Sequence, residues 1–288
     1  MFAAFIFSAV NLFSQHSGNY AQYMFNALLI NPAYAGSHDA LNLTALYRNQ
    51  WSGIDGAPQA LSFGAHTPLK NPRLNLGFTV QNERVGLFNQ TQANFMYAYR
   101  IKLFSGQLSF ALQAGADNRS FDRDRLRVRH DDDPAFTGNT LISTGFVAGG
   151  GMYFHSKHFY AGIAVPAFLN TAFQRTNILQ LHGGGLITLN QHFVLKPSVL
   201  LRRLPGSPVF SNIALTTYYK EILGLGIGYT HKNSFFTFVD IKLNNQMNFG
   251  YAFELSTGNI AGYNAGSHEI MLRYLFSYSV KAINPRYF

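Results

Sequence analysis

The feature that most restricts the fold is a period of two sustained over stretches of nine to thirteen residues. Met247, Phe249, Tyr251, Phe253 and Leu255 alternate with Asn248, Gly250, Ala252 and Glu254. Ile270, Leu272, Tyr274, Phe276, Tyr278 and Val280 are set against Glu269, Arg273, Ser277, Ser279 and Lys281. Leu74, Leu76, Phe78 and Val80 oppose Asn75, Gly77, Thr79 and Gln81, and Leu108, Phe110 and Leu112 oppose Gln107, Ser109 and Gln113. Successive side chains of a strand point to opposite faces, so each stretch reads as a strand with one apolar and one polar face. Strands of soluble proteins average about five or six residues, whereas tilted strands that cross a bilayer need about 9–11. The lengths therefore point to a membrane.

Roughly fourteen such segments are expected on this template. They fall near 39–50, 59–68, 73–84, 89–103, 106–118, 141–155, 158–168, 177–189, 192–202, 208–219, 222–231, 234–244, 246–256 and 268–280. Their connections alternate between two classes. Pro68 to Pro72, Phe104-Ser105, Ser156-Lys157, Asn190-Gln191, Lys220-Glu221 and Asn245 are short. Trp51 to Pro58, Val85 to Phe88, Arg119 to Thr140, Leu169 to Thr176, Arg203 to Ser207 and Thr257 to Ser267 are mostly longer and richer in Gly, Asp, Asn and Pro. His231 to Asn233 is a short connection where a longer one is due. Outer-membrane barrels have tight periplasmic turns and longer outer loops, and an even strand count places both chain ends on the periplasmic side. The expected fold class is all-β, a transmembrane antiparallel β-barrel of about fourteen strands in the outer membrane, contacting its lipid.

Composition agrees. Only 12% of residues are charged, about half the share usual for a soluble domain. Phe (27), Tyr (16) and Gly (26) are abundant, and aromatic residues suit pleated surfaces. The net charge of +9 comes from scattered basic residues without a patch or motif, so nucleic acid is not an expected partner. Arg48, Arg73, Arg100, Lys102, Lys196, Arg202, Lys242 and Arg273 fall on the polar, lumen-facing side. A charge facing lipid near the midplane costs about 2–4 kcal/mol. Aromatic groups at Phe95 to Tyr99, Tyr153-Phe154, Phe159-Tyr160 and Tyr218-Tyr219 read as interfacial girdles or as cross-strand pairs.

Three regions are expected. Residues 1–14, MFAAFIFSAVNLFS, resemble the apolar core of a signal peptide, with cleavage near Ser14-Gln15. Residues 15–38 form a periplasmic N-terminal segment whose apolar run is broken at Asn31-Pro32, a turn signal. It reads as a plug in the lumen, a lid on the rim, or a contact for a partner, and the residues alone do not choose among them. Residues 39–288 are the barrel with a C-terminal tail.

The stretches QYMFNALLINPAYAGS (Gln22 to Ser37) and ALYRNQWSGIDGAPQALSFGAHTPL (Ala45 to Leu69) resemble the N-terminal hallmark of the PorP/SprF family of type IX secretion proteins. YAYRI, DDDPAF, KPSVL, GSHEIMLRY and the terminal NPRYF continue that resemblance in family order to Phe288. The resemblance implies a Bacteroidetes-type bacterium and a barrel without enzymatic activity or cofactor. It also implies a role in gliding motility and in secreting or anchoring a large cell-surface adhesin with a type IX C-terminal secretion domain. Periplasmic lipoproteins or peptidoglycan-linked components of the machine are the other implied partners. The residues expected to meet a partner are Tyr23, Met24, Phe25, Leu28, Leu29, Ile30, Asn31, Pro32, Tyr34, Trp51 and Asp55. The competing reading is an outer-membrane channel of the porin or fatty-acid transporter type.

Chemistry-bearing clusters are sparse. Asp131, Asp132 and Asp133 lack the spacing of a calcium loop, and the ten histidines show no zinc motif. His66 can be grouped with Ser62, Asp55 or Asp117 as a triad, but no nucleophile elbow is present. Trp51, the single tryptophan, suits an interfacial anchor or a partner hot spot.

Overall fold

A computed structural model describes residues 20–38, 40–122, 141–171, 177–258 and 260–276. The signal-peptide reading of 1–14, the Arg123–His130 and Asp131–Asp133 runs and the NPRYF end lie outside these residues. So do Tyr278 and Val280 of the last expected strand.

The alternating stretches form antiparallel strands: β1 (Leu41–Asn49), β2 (Gln59–Pro68), β3 (Leu74–Val85), β4 (Phe88–Leu103), β5 (Gly106–Phe121), β6 (Leu141–His155), β7 (Phe159–Asn170), β8 (Leu179–Gly185), β9 (Ile187–Thr188), β10 (Phe193–Arg203), β11 (Phe210–Tyr219), β12 (Leu223–Thr230), β13 (Ser234–Lys242), β14 (Met247–Ser256) and β15 (Ser267–Phe276). β8 and β9 are two pieces of one stave, interrupted at Leu186, and both pair with β10. Each stave pairs with its neighbours in sequence, and β1 pairs with β15 from Leu41↔Phe276 to Asn49↔His268. The result is a closed barrel of fourteen staves. Closure removes both sheet edges, which is what allows a sheet to cross hydrocarbon with every backbone group paired. Among the described residues no helix is long and apolar enough to cross a membrane.

Alternation sorts the side chains by face. On β2, Leu61 and Phe63 are exposed outward while Ala60, Ser62, Gly64 and His66 are buried inward. On β15, Ile270, Leu272 and Phe276 face out, and Glu269, Met271, Arg273 and Leu275 face in. Of the expected lumenal cations, Arg48, Arg100, Lys196, Arg202 and Arg273 are buried inside. Arg73 and Lys102 are exposed instead, because Arg73 falls in the β2–β3 turn and Lys102 sits at the last inward position of β4, where the wall ends. The aromatic pairs divide as a period of two demands. Phe154, Phe159 and Tyr219 face outward, whereas Tyr153, Tyr160 and Tyr218 are buried in the lumen.

β4 and β5 run for 16 residues each, beyond the span a bilayer requires. Their outward side chains turn polar at Asn89, Thr91, Asn118 and Ser120, so these ends rise above the apolar band. The β3–β4 connection, expected among the longer loops, is a tight hairpin at Gly86-Leu87. β7 carries the main irregularity of the wall. Its register against β6 slips by two residues between Ala148↔Leu169 and Gly150↔Val165. Pro166, which has no N–H to give to the ladder, lies within that bulge.

Candidate functional site

The lumen is filled by the chain's own N-terminal segment. Residues 20–38 lie inside the ring of strands as three short 3-10 turns, Tyr23–Phe25, Ala27–Leu29 and Pro32–Tyr34. Every residue from Tyr20 to Ala35 is buried except Leu29, which is half-buried.

Asn31-Pro32 stops the apolar run from continuing as a helix, and a second break within the run falls at Asn26, with φ −130° and ψ 58°. Pro restrains the residue before it to extended backbone, and Asn31 adopts φ −139°, ψ 115°. Its side-chain oxygen accepts the Ala33 amide at 2.9 Å, capping the next turn with Pro at its first position. The other end of the same amide reaches the wall. Nδ2 donates to the Met152 carbonyl on β6 at 2.8 Å and lies 3.2 Å from His182 Nε2 on β8. Glycine makes this approach possible. A Cβ on Gly151 would stand 2.3 Å from Asn31 Oδ1, and one on Gly162 would stand 2.7 Å from Nδ2.

The segment leaves the lumen at Gly36, whose φ of +70° is left-handed and whose Cβ would collide with Asn75 at 2.1 Å. The Gly36 amide donates to His66 Nδ1 at 3.1 Å, and Arg100 donates to the Gly36 carbonyl. His66 and Arg100 lie near the short-turn ends of β2 and β4. At the other extreme, the amides of Ala21 and Gln22 donate to the Glu269 carboxylate at 2.7 and 3.0 Å. Glu269 is near the start of β15, at the long-loop end, opposite Arg48. The segment thus runs the length of the bore, from the long-loop mouth at Tyr20 to the short-turn rim at Ser37. The strands do begin and end at the short-turn rim, as an even count requires, but Tyr20 lies at the opposite mouth because the chain ahead of β1 doubles back through the lumen.

Apolar contact supplies most of the hold. Met24, Phe25, Leu28 and Ile30 are each at most 5% exposed, and burying such a side chain contributes about 1.5–3 kcal/mol. A typical hydrogen bond adds only about 0.5–1.5 kcal/mol net. Phe25 packs edge-on against Phe238 of β13 with centroids 5.5 Å apart. Tyr34 meets His38, His66 and Tyr153 edge-on at 5.9, 5.4 and 5.4 Å. Tyr153 stacks on His182 at 5.6 Å, with rings only 5° from parallel. Lys196 Nζ lies 5.9 Å from the Phe25 ring and 5.4 Å from that of Tyr160, distances suited to cation–π attraction. Burial pushes the His38 imidazole well below its usual range.

Two expected partner residues lie elsewhere. Trp51 and Asp55 belong to the β1–β2 loop at the long-loop mouth, where the Trp51 amide donates to Ser267 Oγ at 3.2 Å and Ser52 to the Gly266 carbonyl at 2.8 Å. The structure therefore gathers Tyr23 to Tyr34 into the bore and leaves Trp51 and Asp55 on its outer rim. A triad is not assembled. His66 Nδ1 accepts the Gly36 amide, while Asp117 on β5 accepts from Gln90, Arg119 and Asn170. Sequence reasoning missed Glu269 and Asn75. Their signal was an inward parity within strands already recognised. Among the described residues no cluster of three metal-ligating side chains occurs.

A closed ring of tall strands, apolar outside and polar within, is an integral outer-membrane β-barrel. The chain belongs to the type IX secretion system membrane protein PorP/SprF family, whose model matches residues 12–274. No curated protein matches the sequence. Among solved structures it is similar to Omp33 of Acinetobacter baumannii, with 6% identity, a TM-score of 0.49 and coverage of 84% of this chain and 100% of that one. The toluene transporter TodX of P. putida has 10% identity and a TM-score of 0.49, covering 88% and 95%. A FadL homologue of Pseudomonas aeruginosa has 9% identity and a TM-score of 0.47, covering 90% and 95%.

Proposed function

We propose that this type IX barrel is a non-enzymatic, plugged scaffold that holds a large secreted adhesin at the cell surface or assists its export. Membership of the family supports the process. The observation that carries the scaffold reading is the bore, occupied along its length by residues 20–38 and bonded to the wall near both ends. A transporter of small solutes needs a path, and this segment lies across it. In this reading Tyr23, Met24, Phe25, Leu28, Leu29, Ile30, Asn31, Pro32 and Tyr34 act by filling the lumen. Trp51 and Asp55 face the adhesin, whose type IX C-terminal secretion domain docks on the outer rim. Periplasmic lipoproteins or peptidoglycan-linked components meet the short turns on the opposite side.

Co-purification after mild detergent extraction from native membranes tests the partner claim. Recovery of a large surface protein with the barrel, weakened by Trp51→Ala with Asp55→Ala, is the expected result. Recovery of the chain with lipid alone overturns it.

A further inference from the structure

The outward face of the barrel is not uniformly convex. Across β2–β6 the register aligns Ala65, Phe78, Phe95, Ala114 and Ala148 in one row of directly paired residues, all pointing outward. The adjacent row is Thr67, Leu76, Tyr97, Leu112 and Gly150. Small residues therefore face one another on β5 and β6, while Phe95, Tyr97 and Leu112 stand beside them. Phe78 and Phe95 pack together with ring centroids 4.7 Å apart, which closes one side. The other side is closed by the β7 bulge. Its two extra residues leave Phe168 half exposed, with its ring edge 3.8 Å from where a Cβ on Gly150 would lie. Gln113 holds the bulge from within by donating to the Pro166 carbonyl at 2.6 Å.

Together these residues line an open, almost wholly apolar recess of about 720 Å³, within the range of sites that take small ligands, roughly 300–1,000 Å³. It opens on the lipid side of the wall, so hydrocarbon and not water is what surrounds it. We infer that this hollow is a seat for one acyl chain of an outer-membrane lipid, held more firmly than the lipid around the rest of the barrel. Two features favour a chain over a second barrel. The recess is bounded on both sides by aromatic rings, which narrow the approach of a flat protein surface. Its floor is made of alanine and glycine, which admit a thin flexible occupant and offer no side chain to interlock with a partner. Of the lining residues that point outward only Thr67 and Tyr97 carry a polar group, while the polar atoms of His66 and Gln113 are turned inward, so an alkyl chain and not a head group is the recognised chemistry.

The test uses the whole protein returned to vesicles of palmitoyl-oleoyl phosphatidylethanolamine, re-extracted in mild detergent and weighed intact by native mass spectrometry. The wild-type barrel and a control on the far wall, Leu225→Phe, are expected to retain one lipid. Ala114→Phe and Ala148→Leu, which fill the hollow from its lipid side, are expected to lose it. Heat-modifiable mobility on gels shows that each variant is folded, and Ala148→Leu, the smaller change, carries the comparison where Ala114→Phe does not fold. A wild-type barrel that emerges bare overturns the inference. Equal retention by wild type and variants also overturns it, as does a dimer that the same substitutions dissociate.

Discussion

Glu269 Oε1 lies 2.5 Å from Arg48 Nη1, and this buried pair faces Ala21 and Gln22, among the first described residues of the N-terminal segment. Arg48 also reaches Glu254 at 2.8 Å, and Glu269 accepts the two successive amides of Ala21 and Gln22. One carboxylate thus joins the closing strands, β1 and β15, to the peptide they enclose.

Removing one partner of a buried ion pair costs about 3–5 kcal/mol, because the remaining charge stays buried without compensation. Arg48→Met and Glu269→Gln should each lower the temperature at which the barrel's heat-modifiable band disappears. Because the two residues are in direct contact, the double variant should lose less than the sum of the single losses. Additive losses would show that the pair does not act as a unit.

Asn31 is bonded on both ends of its amide. Asn31→Ala strands the Ala33 amide and removes the tie to Met152, and loss of such a buried bond costs about 1–3 kcal/mol. Limited proteolysis in detergent should then cut within residues 20–38 while leaving the strands intact. Gly162→Ala should have the same effect from the wall side, since its Cβ would meet His182 Nε2 at 2.1 Å. Unchanged protection in both would mean that the apolar contacts alone hold the segment.

Leu28→Asp with Ile30→Asp puts two charges where side chains are 2% exposed. The segment should leave the bore, and single-channel recordings in planar bilayers should show stable ion currents that the wild type lacks. Equal conductance before and after the change would argue that the segment does not block passage. Loss of barrel insertion would make it part of the fold and not a stopper.

His38 supplies a dependence on pH. Burial, followed by the nearby His66, Arg273, His155 and Lys196, lowers its pKa below the ordinary 6.5. The folded state therefore binds the proton more weakly than the unfolded state. Stability contributed by the neutral imidazole is present above pH 6.5 and is lost as the pH falls beneath it. His38→Gln should flatten this acid-side loss in thermal melts followed between pH 7.5 and pH 5, values that bracket a histidine's ordinary range of about 6–7.

The fourteen staves were legible because each is written in a period that only a strand satisfies, and the inward cations followed from parity along them. Parity also corrects the aromatic girdles, since Tyr153 and Phe154 cannot both face lipid. The segment 20–38 was legible as something other than a helix, through Asn31-Pro32. Its course was not, because it has no period and its bonds join residues separated by as many as 248 positions in sequence. The β7 bulge was hidden for a related reason. A slip of two residues preserves parity, so the pattern on either side of Pro166 looks uninterrupted.

The course of the segment has a bearing on how the protein can be handled. Since the peptide ahead of β1 travels back to the long-loop mouth, the side that faces outward in outer-membrane barrels, an epitope joined just before Tyr20 starts beside the long loops and not beside the short turns. A strand tally alone places only the start of β1 and the end of β15, both at the short-turn rim.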